Sequence, residues 1–65
     1  MSLIQVEFKA GQRRYSYNLP DGMEANVGDT AYVESFNGAV VGTTIVSLES
    51  DYDGPAKDVI QVEPA

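Results

Sequence analysis

The chain contains no cysteine, no histidine and no tryptophan. The lack of cysteine and histidine excludes disulfides, thiol or imidazole catalysis, and the zinc sites that these residues form. A chain free of cysteine fits a reducing compartment. The apolar run at 39–41 is only three residues long, far too short to cross a bilayer. Residues 1–4 lack the basic segment and long apolar core of a secretory signal. We therefore expect a cytoplasmic protein with no membrane contact.

Basic residues are also scarce. The chain has ten acidic and four basic residues, for a net charge of −6. Residues 31–65 hold six of the acidic residues but only one basic residue, Lys57. An acidic surface repels phosphate, so extensive tracking of a nucleic-acid backbone is not expected. Such a surface favours solubility, and it can also meet a basic protein partner or imitate nucleic acid.

Apolar residues alternate with a period of two, and no stretch keeps a helical period. A first strand carries Ile4, Val6 and Phe8 on one face. Further strands are predicted over 13–18, 30–34, 40–48 and 57–63. In the last of these, alternation places Val59 with Gln61 on one face and Ile60 with Val62 on the other.

Prolines and glycines predict where the chain bends. Pro20 and Gly22 predict a tight turn, and Asn37-Gly38 is typical of a type I′ hairpin, which needs two positive φ values. Gly42, inside a long strand, indicates a bulge or a close backbone approach. We therefore predict one domain over residues 1–65, an all-β, five-stranded antiparallel, partly closed barrel of OB-like or SH3-like form.

No catalytic or metal motif is present. The chain has neither a nucleophile elbow nor a phosphate-binding glycine-rich loop. Asp51-Tyr52-Asp53-Gly54 resembles part of a calcium loop, but with Gly54 in the sixth position the twelfth falls on Ile60, where a carboxylate is needed. We predict no enzyme activity, no metal site and no cofactor.

Two residues stand out as candidate contacts. Most aromatic residues lie on predicted strands and are expected to pack. Phe36 flanks the hairpin tip. Packing is the general expectation for a ring, and the alternative is exposure, with stacking on a base or on a partner's side chain. Lys57 is either a solvated residue or an anion contact.

Four segments together resemble a known domain: "YSYNLPDGM" (15–23), "VGDTAYV" (27–33), "SFNGAVVGTTIVSLES" (35–50) and "AKDVIQVE" (56–63). They are similar to the N-terminal domain of the primosomal replication-restart helicase PriA, over most of the chain from Val6 to Glu63. The shared features are an aromatic-x-aromatic triplet, Leu-Pro-Asp-Gly, a hairpin with a Phe and a Gly, and a closing strand with a lysine.

The resemblance implies an OB-like barrel that captures the 3′ end of a single DNA strand. Carried over by position, the aromatic residue of the pocket is Tyr15, the hairpin glycine is Asn37 or Gly38, and the lysine is Lys57. Ser16 stands where the family has an acid. A serine can accept a hydrogen bond from a terminal hydroxyl, but without charge assistance that bond is roughly half as strong. The helicase motor of the family is missing from these residues.

Two functional hypotheses follow. The first is a binding module for a single-stranded DNA end, using Tyr15, Ser16, Phe36, Asn37, Gly38 and Lys57. The second is a protein-interaction module, monomeric or homodimeric, that binds a basic host or replication protein through its acidic second half or self-associates along a strand edge. A structural component of a larger assembly is a variant of the second. A free-standing domain of this kind is what phages and mobile elements encode, in which case the location is the host cytoplasm.

Overall fold

The structure is a computed structural model that describes residues 2–9 and 11–65. Five strands form a single antiparallel sheet in the order β2-β1-β4-β3-β5. They are β1 (Ser2–Glu7), β2 (Arg14–Leu19), β3 (Thr30–Glu34), β4 (Val40–Ser47) and β5 (Gln61–Glu63). The described ranges contain no helix. The radius of gyration, 10.5 Å, is close to the value of about 11 Å expected for a compact domain of this length. The all-β, antiparallel prediction is confirmed.

The interior is built from aliphatic side chains, five of them on the three central strands and one, Val59, ahead of β5. Alternation in β1 turns Ile4 and Val6 inward, where both are fully buried. The buried cluster is completed by Ala31, Val33, Ile45 and Val59. Phe8, which follows β1, packs partly against this cluster, as its alternation with Ile4 and Val6 predicts. β-Branched residues suit such a position because they fill a pleated, buried surface well.

The predicted irregularity in β4 is real but lies at another residue. Gly42 pairs in regular register with Tyr32. The bulge lies nearer the end of β4, where Gln5 pairs with Ser47 and Val6 pairs with Ile45, so that Val46 is the additional residue. Gly42 is instead a close-approach position, because a Cβ built there would lie 3.3 Å from Cε1 of Tyr32. The absence of a side chain leaves room for that ring.

The predicted final strand is split into two parts. The backbone N–H of Val59 donates to the carbonyl of Asn18 on β2 (2.8 Å), whereas that of Ile60 donates to the carbonyl of Tyr32 on β3 (2.8 Å). The chain therefore crosses between the two edges of the sheet at this point. The predicted faces are wrong, because Val59 is buried and Val62 is partly buried against the same cluster, while Ile60 is half exposed. One flat strand with strict alternation could not do this.

The two edges of the sheet are linked by one isolated parallel bridge, between Asn18 and Asp58. A continuous ladder between β2 and β5 is not formed in the described residues, so the sheet is not closed into a barrel. The physical reason is length. β5 has three residues, and the segment before it leaves β2 after a single bridge.

The β3–β4 turn also differs from its prediction. A type I′ turn needs a positive φ at Asn37, but among the described residues only glycines have a positive φ. The N–H of Gly38 donates to the carbonyl of Ser35 (2.9 Å), and the N–H of Ser35 donates to the carbonyl of Ala39 (2.8 Å). With Gly38 at a φ of 86°, this is the pattern of a three-residue hairpin loop with a glycine bulge.

Candidate functional site

Three of the residues singled out from sequence, Tyr15, Ser16 and Lys57, line one pocket. We call it the edge pocket; its volume is about 280 Å³, and it is formed by residues 14–17 of β2, Tyr52 and residues 55–57. The segment 55–57 is held against β2 because the N–H of Asn18 donates to the carbonyl of Lys57 (2.9 Å). The amide Nδ2 of Asn18 also donates to the carbonyl of Ala56 (2.8 Å).

Ser16 lines the edge pocket, and its hydroxyl is already partnered. Its Oγ is 2.7 Å from the Oγ of Ser50, in a partly buried pair in which either can donate. A hydroxyl has one donor and two acceptor lone pairs, so this bond leaves Ser16 able to accept one more. The chemistry expected at this position is therefore still possible.

A second pocket lies on the other side of Tyr15 and Tyr17. We call it the aromatic pocket; its volume is about 350 Å³ and its lining comprises Phe8, Gln12, Arg13, Tyr15, Tyr17, Ser35 and Phe36. Phe8 meets Tyr15 edge-to-face, with ring centroids 5.2 Å apart and planes at 77°. It also meets Tyr17 at 6.4 Å with a tilt of 43°. Both arrangements are favourable for aromatic pairs. Tyr15 and Tyr17 line both pockets and form the wall between them.

Phe36 is fully exposed at the rim of the aromatic pocket. The interpretation of Phe36 as a packed residue is therefore wrong, and the alternative of an exposed ring is confirmed. The reason is local: Phe36 lies in the hairpin loop between β3 and β4, outside the paired strands. Tyr15 is 45% exposed, so this pocket also presents part of a tyrosine ring to solvent.

Asn37 and Gly38 lie in neither pocket. Oδ1 of Asn37 accepts hydrogen bonds from the hydroxyl of Ser35 and from the N–H of Ala39 (3.1 Å). Gly38 supplies the positive φ that the loop requires. Both residues therefore shape the loop that carries Phe36, and their contact with a ligand stays a prediction.

The basic residues of this acidic chain gather around the two pockets. Arg14 and Lys57 line the edge pocket, and Arg13 lines the aromatic pocket. Lys9 lies in the same β1–β2 connection, where its carbonyl accepts from the N–H of Gln12 (3.1 Å). No carboxylate is among the described residues that line either pocket. Three of the four cations thus face two adjoining concave surfaces.

Two of these cations have carboxylate neighbours outside the pockets. Nε of Arg14 is 3.5 Å from Oε2 of Glu7, and Nζ of Lys57 is 3.6 Å from Oε1 of Glu34. The side chains of Arg14 and Lys57 remain more than half exposed, so these pairs are weak and screened by salt. Arg13 makes no ion pair with any described residue.

The phenol of Tyr17 is protonated at physiological pH. Burial raises the pKa of Tyr17 above its usual value, and the nearby Tyr15 raises it further. A neutral phenol keeps the wall between the pockets uncharged, which is compatible with a stacked base.

Sequence analysis missed Arg13, Arg14 and Tyr52 as pocket residues. The available signal was the pair Arg13-Arg14, two adjacent bases in a chain with only four. Tyr52 gave no signal, because its place depends on the path of a loop. That loop is stabilised by the Tyr52 hydroxyl, which donates to the carbonyl of Pro55 (3.2 Å).

A third depression in the surface is lined by polar and acidic residues. Glu49 and Asp51 line an open, polar depression together with Gln5, Ser47 and Ser50. Across residues 2–9 and 11–65, no group of three or more acidic side chains is placed to share a metal ion. Within the same residues there is no helix of the length and apolarity needed to span a membrane.

Comparisons of this chain with protein-family models, with curated proteins and with solved structures find no match. The geometry and chemistry of the two pockets are therefore the basis for a functional proposal.

Proposed function

We propose that this chain is a small, non-enzymatic binding module that holds the 3′ end of a single DNA strand in the edge pocket. The observation that carries the proposal is that Tyr15 and Ser16 of β2 line one pocket together with Lys57, which is far from them in sequence. These are the positions that the resemblance to the PriA N-terminal domain implies. The proposal includes the family's OB-like, partly closed barrel. The single bridge between Asn18 and Asp58, which links the two edges of the sheet, supports this part of it.

Four of the lining residues have an assigned task in this proposal. The terminal base stacks on an exposed tyrosine ring, Tyr15 or Tyr52, each about half exposed, and such stacking contributes about 1–3 kcal/mol per base. Lys57 contacts a phosphate as a point charge. The hydroxyl of Ser16 accepts the hydrogen bond of the terminal 3′ hydroxyl, and a neutral bond of this kind contributes about 0.5–1.5 kcal/mol net.

The overall charge of −6 limits the strength of this contact. Distant acids repel the strand, so the encounter is slow and few phosphates are engaged. We therefore expect weak binding that is sensitive to salt with a shallow slope, of about 0.7 for each phosphate neutralised on a single strand.

The test is a fluorescence anisotropy titration at low salt with a short thymidine oligonucleotide labelled at its 5′ end. The free 3′ hydroxyl form should bind more tightly than the 3′-deoxy form, by about 2- to 13-fold for one neutral hydrogen bond. Identical affinities for the two oligonucleotides would contradict capture of the 3′ end. If neither oligonucleotide binds, the proposal of a DNA-binding function is wrong.

A pair of serine variants separates contact from structure. Ser16→Ala should abolish the preference for a free 3′ hydroxyl. Ser50→Ala removes the partner of Ser16 at 2.7 Å but leaves the accepting hydroxyl in place, so the preference should persist. If both variants lose it equally, Ser16 acts through the Ser16–Ser50 pair and not as a contact to the DNA end.

A second candidate function is an acidic module for a basic protein. The observation that favours it is the open depression with Glu49 and Asp51, which carries no cation among its described lining residues. Size-exclusion chromatography with light scattering, followed by pull-down with a basic partner, tests it. A strict monomer that retains nothing in the pull-down would remove the support for this function.

A further inference from the structure

The two pockets adjoin across one wall. Tyr15 and Tyr17 line the edge pocket on one side and the aromatic pocket on the other. A ligand that fills the edge pocket and continues past Tyr15 therefore enters the aromatic pocket next. A nucleic acid strand continues in this way, because each nucleotide is linked to the one before it.

The aromatic pocket has the lining of a site for a flat ring. Four of its lining residues are aromatic, and a volume of about 350 Å³ is at the small end of the range for ligand pockets, roughly 300–1,000 Å³. Phe8 supports Tyr15 and Tyr17 from the inward side by edge-to-face and tilted contacts. Tyr15 and Phe36 are thus left with open ring surface on which a base can stack.

Phe36 contributes nothing to the interior. It is fully exposed, and it lies outside the buried cluster and the residues packed against it. The loop that presents it contains two hydrogen bonds to the side chain of Asn37 and the positive φ of Gly38. This loop places a ring at the rim of an aromatic-lined pocket, where the ring is accessible to a ligand.

The charge of the aromatic pocket fits an anionic occupant. Arg13 is the one charged residue among the described residues of its lining. The next residue, Arg14, lines the edge pocket. Each pocket lining therefore holds one of two consecutive arginines. The phosphate between two nucleotides would lie where the strand passes from one lining to the other.

We propose that the aromatic pocket is a second nucleotide subsite, which takes the base preceding the 3′-terminal nucleotide, with Arg13 and Arg14 on the phosphate between them. This inference rests on the proposed function, since it assigns the strand's end to the edge pocket. It predicts a footprint of two nucleotides. It also predicts that Phe36 determines affinity for the second nucleotide and not for the first.

The experiment is an NMR titration of the full chain with thymidine 5′-monophosphate and with the corresponding di- and trinucleotides, each with a free 3′ hydroxyl. The dinucleotide should bind about 5- to 150-fold more tightly than the mononucleotide, which is the gain from stacking one base. The trinucleotide should add less than about twofold, since no third aromatic subsite follows in the described residues. Amide shifts of residues 12–13 and 35–36 should appear with the dinucleotide and be small with the mononucleotide.

Two variants make the assignment specific. Phe36→Ala should lower the affinity for the dinucleotide to nearly that for the mononucleotide, while the preference for a free 3′ hydroxyl persists because the edge pocket makes it. Val40→Ala is the matched control, since Val40 is 58% exposed at the base of the same hairpin and lines neither pocket. It should change neither affinity. Far-UV circular dichroism confirms that both variants are folded.

The outcomes separate this inference from the proposed function. A mononucleotide that binds at the edge pocket, with no gain for the dinucleotide, overturns the second subsite and leaves the end-binding function standing. If no nucleotide shifts any resonance, both fail. If instead an acidic peptide containing phenylalanine shifts residues 12–13 and 35–36 and the dinucleotide does not, the aromatic pocket is a protein-binding site and the subsite is overturned.

Discussion

The buried cluster and the aromatic pocket use different kinds of side chain. The cluster is aliphatic, and its residues are at most 2% exposed. The aromatic pocket is lined by four rings, of which Tyr15 is 45% and Phe36 100% exposed. In most small domains the rings would be the largest contributors to burial. Here the stability is supplied mainly by isoleucine and valine, so two rings are left for contact with another molecule.

The position of each strand explains this division. β1, β3 and β4 lie inside the sheet, and their inward side chains meet one another. β2 is an edge strand, and Tyr15 and Tyr17 contact Phe8 but are not buried. Large side chains on a half-covered edge leave concave surface around them, which is how the two pockets arise.

The largest expected effect comes from a cavity in the buried cluster. Ile45→Ala removes a fully buried side chain and should lower the free energy of unfolding by about 2–5 kcal/mol. That is a large part of the total stability of a domain of this size. Urea unfolding followed by circular dichroism measures the change. Val40→Ala, on the same strand but exposed, should change the free energy of unfolding by less than about 0.5 kcal/mol. Equal losses in the two variants would show that the buried cluster does not supply most of the stability.

The next effect tests the loop that carries Phe36. Gly38 has a φ of 86° and no atom near its vacant Cβ position, so Gly38→Ala should cost about 1–2 kcal/mol through backbone strain alone. Gly38→Asn should cost less, because asparagine tolerates this conformation better. Thermal unfolding of the two variants checks this order. If alanine and asparagine are equivalent, the backbone at this position is not constrained in the left-handed region.

A smaller effect distinguishes a lysine that contacts DNA from one that only contributes to the net charge of the chain. Lys57→Gln should reduce DNA affinity and lower the slope of log K against log salt by about 0.7. It should change the free energy of unfolding by no more than about 1 kcal/mol, since the pair with Glu34 is exposed. Lys9→Gln is the matched control, because Lys9 lies outside the lining of both pockets. A slope that falls equally in both variants would mean that only total charge matters.

The smallest effect concerns pH and lies away from both regions. The hydroxyl of Tyr32 donates to Oε2 of Glu63 at 2.6 Å. That hydrogen bond, and then the negative charge of Glu63, raise the pKa of Tyr32 above its usual value. The folded chain therefore keeps this proton where the unfolded chain loses it. The contribution to stability is fully present below the unfolded pKa of about 10 and is lost as the pH rises through the folded pKa.

The corresponding measurement is thermal unfolding of the wild type and Tyr32→Phe between neutral and alkaline pH. The wild type should lose slightly more stability above about pH 10 than the variant. Glu63→Gln is the control, because it removes the charge and keeps an acceptor, so its alkaline loss should lie between the two. Parallel curves for all three proteins would show that the Tyr32–Glu63 bond does not couple to folding.

Much of the fold could be predicted from local patterns. Alternation located Ile4 and Val6 in the interior, and it gave the bounds of β3 without error. For the site, the resemblance led to Tyr15, Ser16 and Lys57, which the structure brings together. It did not indicate that Asn37 and Gly38 lie outside the pockets. Asparagine and glycine suit both the shaping of a loop and contact with a ligand, so the residue types do not distinguish the two roles.

Other features could not be predicted because they depend on register between distant strands. The bulge is at Val46 and not at Gly42, since it forms where β1 and β4 must adjust their pairing, and glycine is only one way to permit a bulge. The splitting of the last strand is similar, because its residues bond to β2 and then to β3. Neither edge is visible in the sequence of residues 57–63.

By itself, the amino-acid sequence determined that this chain forms β-strands with apolar side chains on one face, and where glycine and proline allow it to turn. These outcomes depend on side-chain periodicity and on backbone sterics, which act within a few residues. Only the tertiary structure decided that Ser16 meets Ser50, that Lys57 and Tyr15 line one pocket, and that Phe36 stands in solvent at a pocket rim. Such neighbours follow from how the strands register and cross, and that is set by the packing of the whole chain.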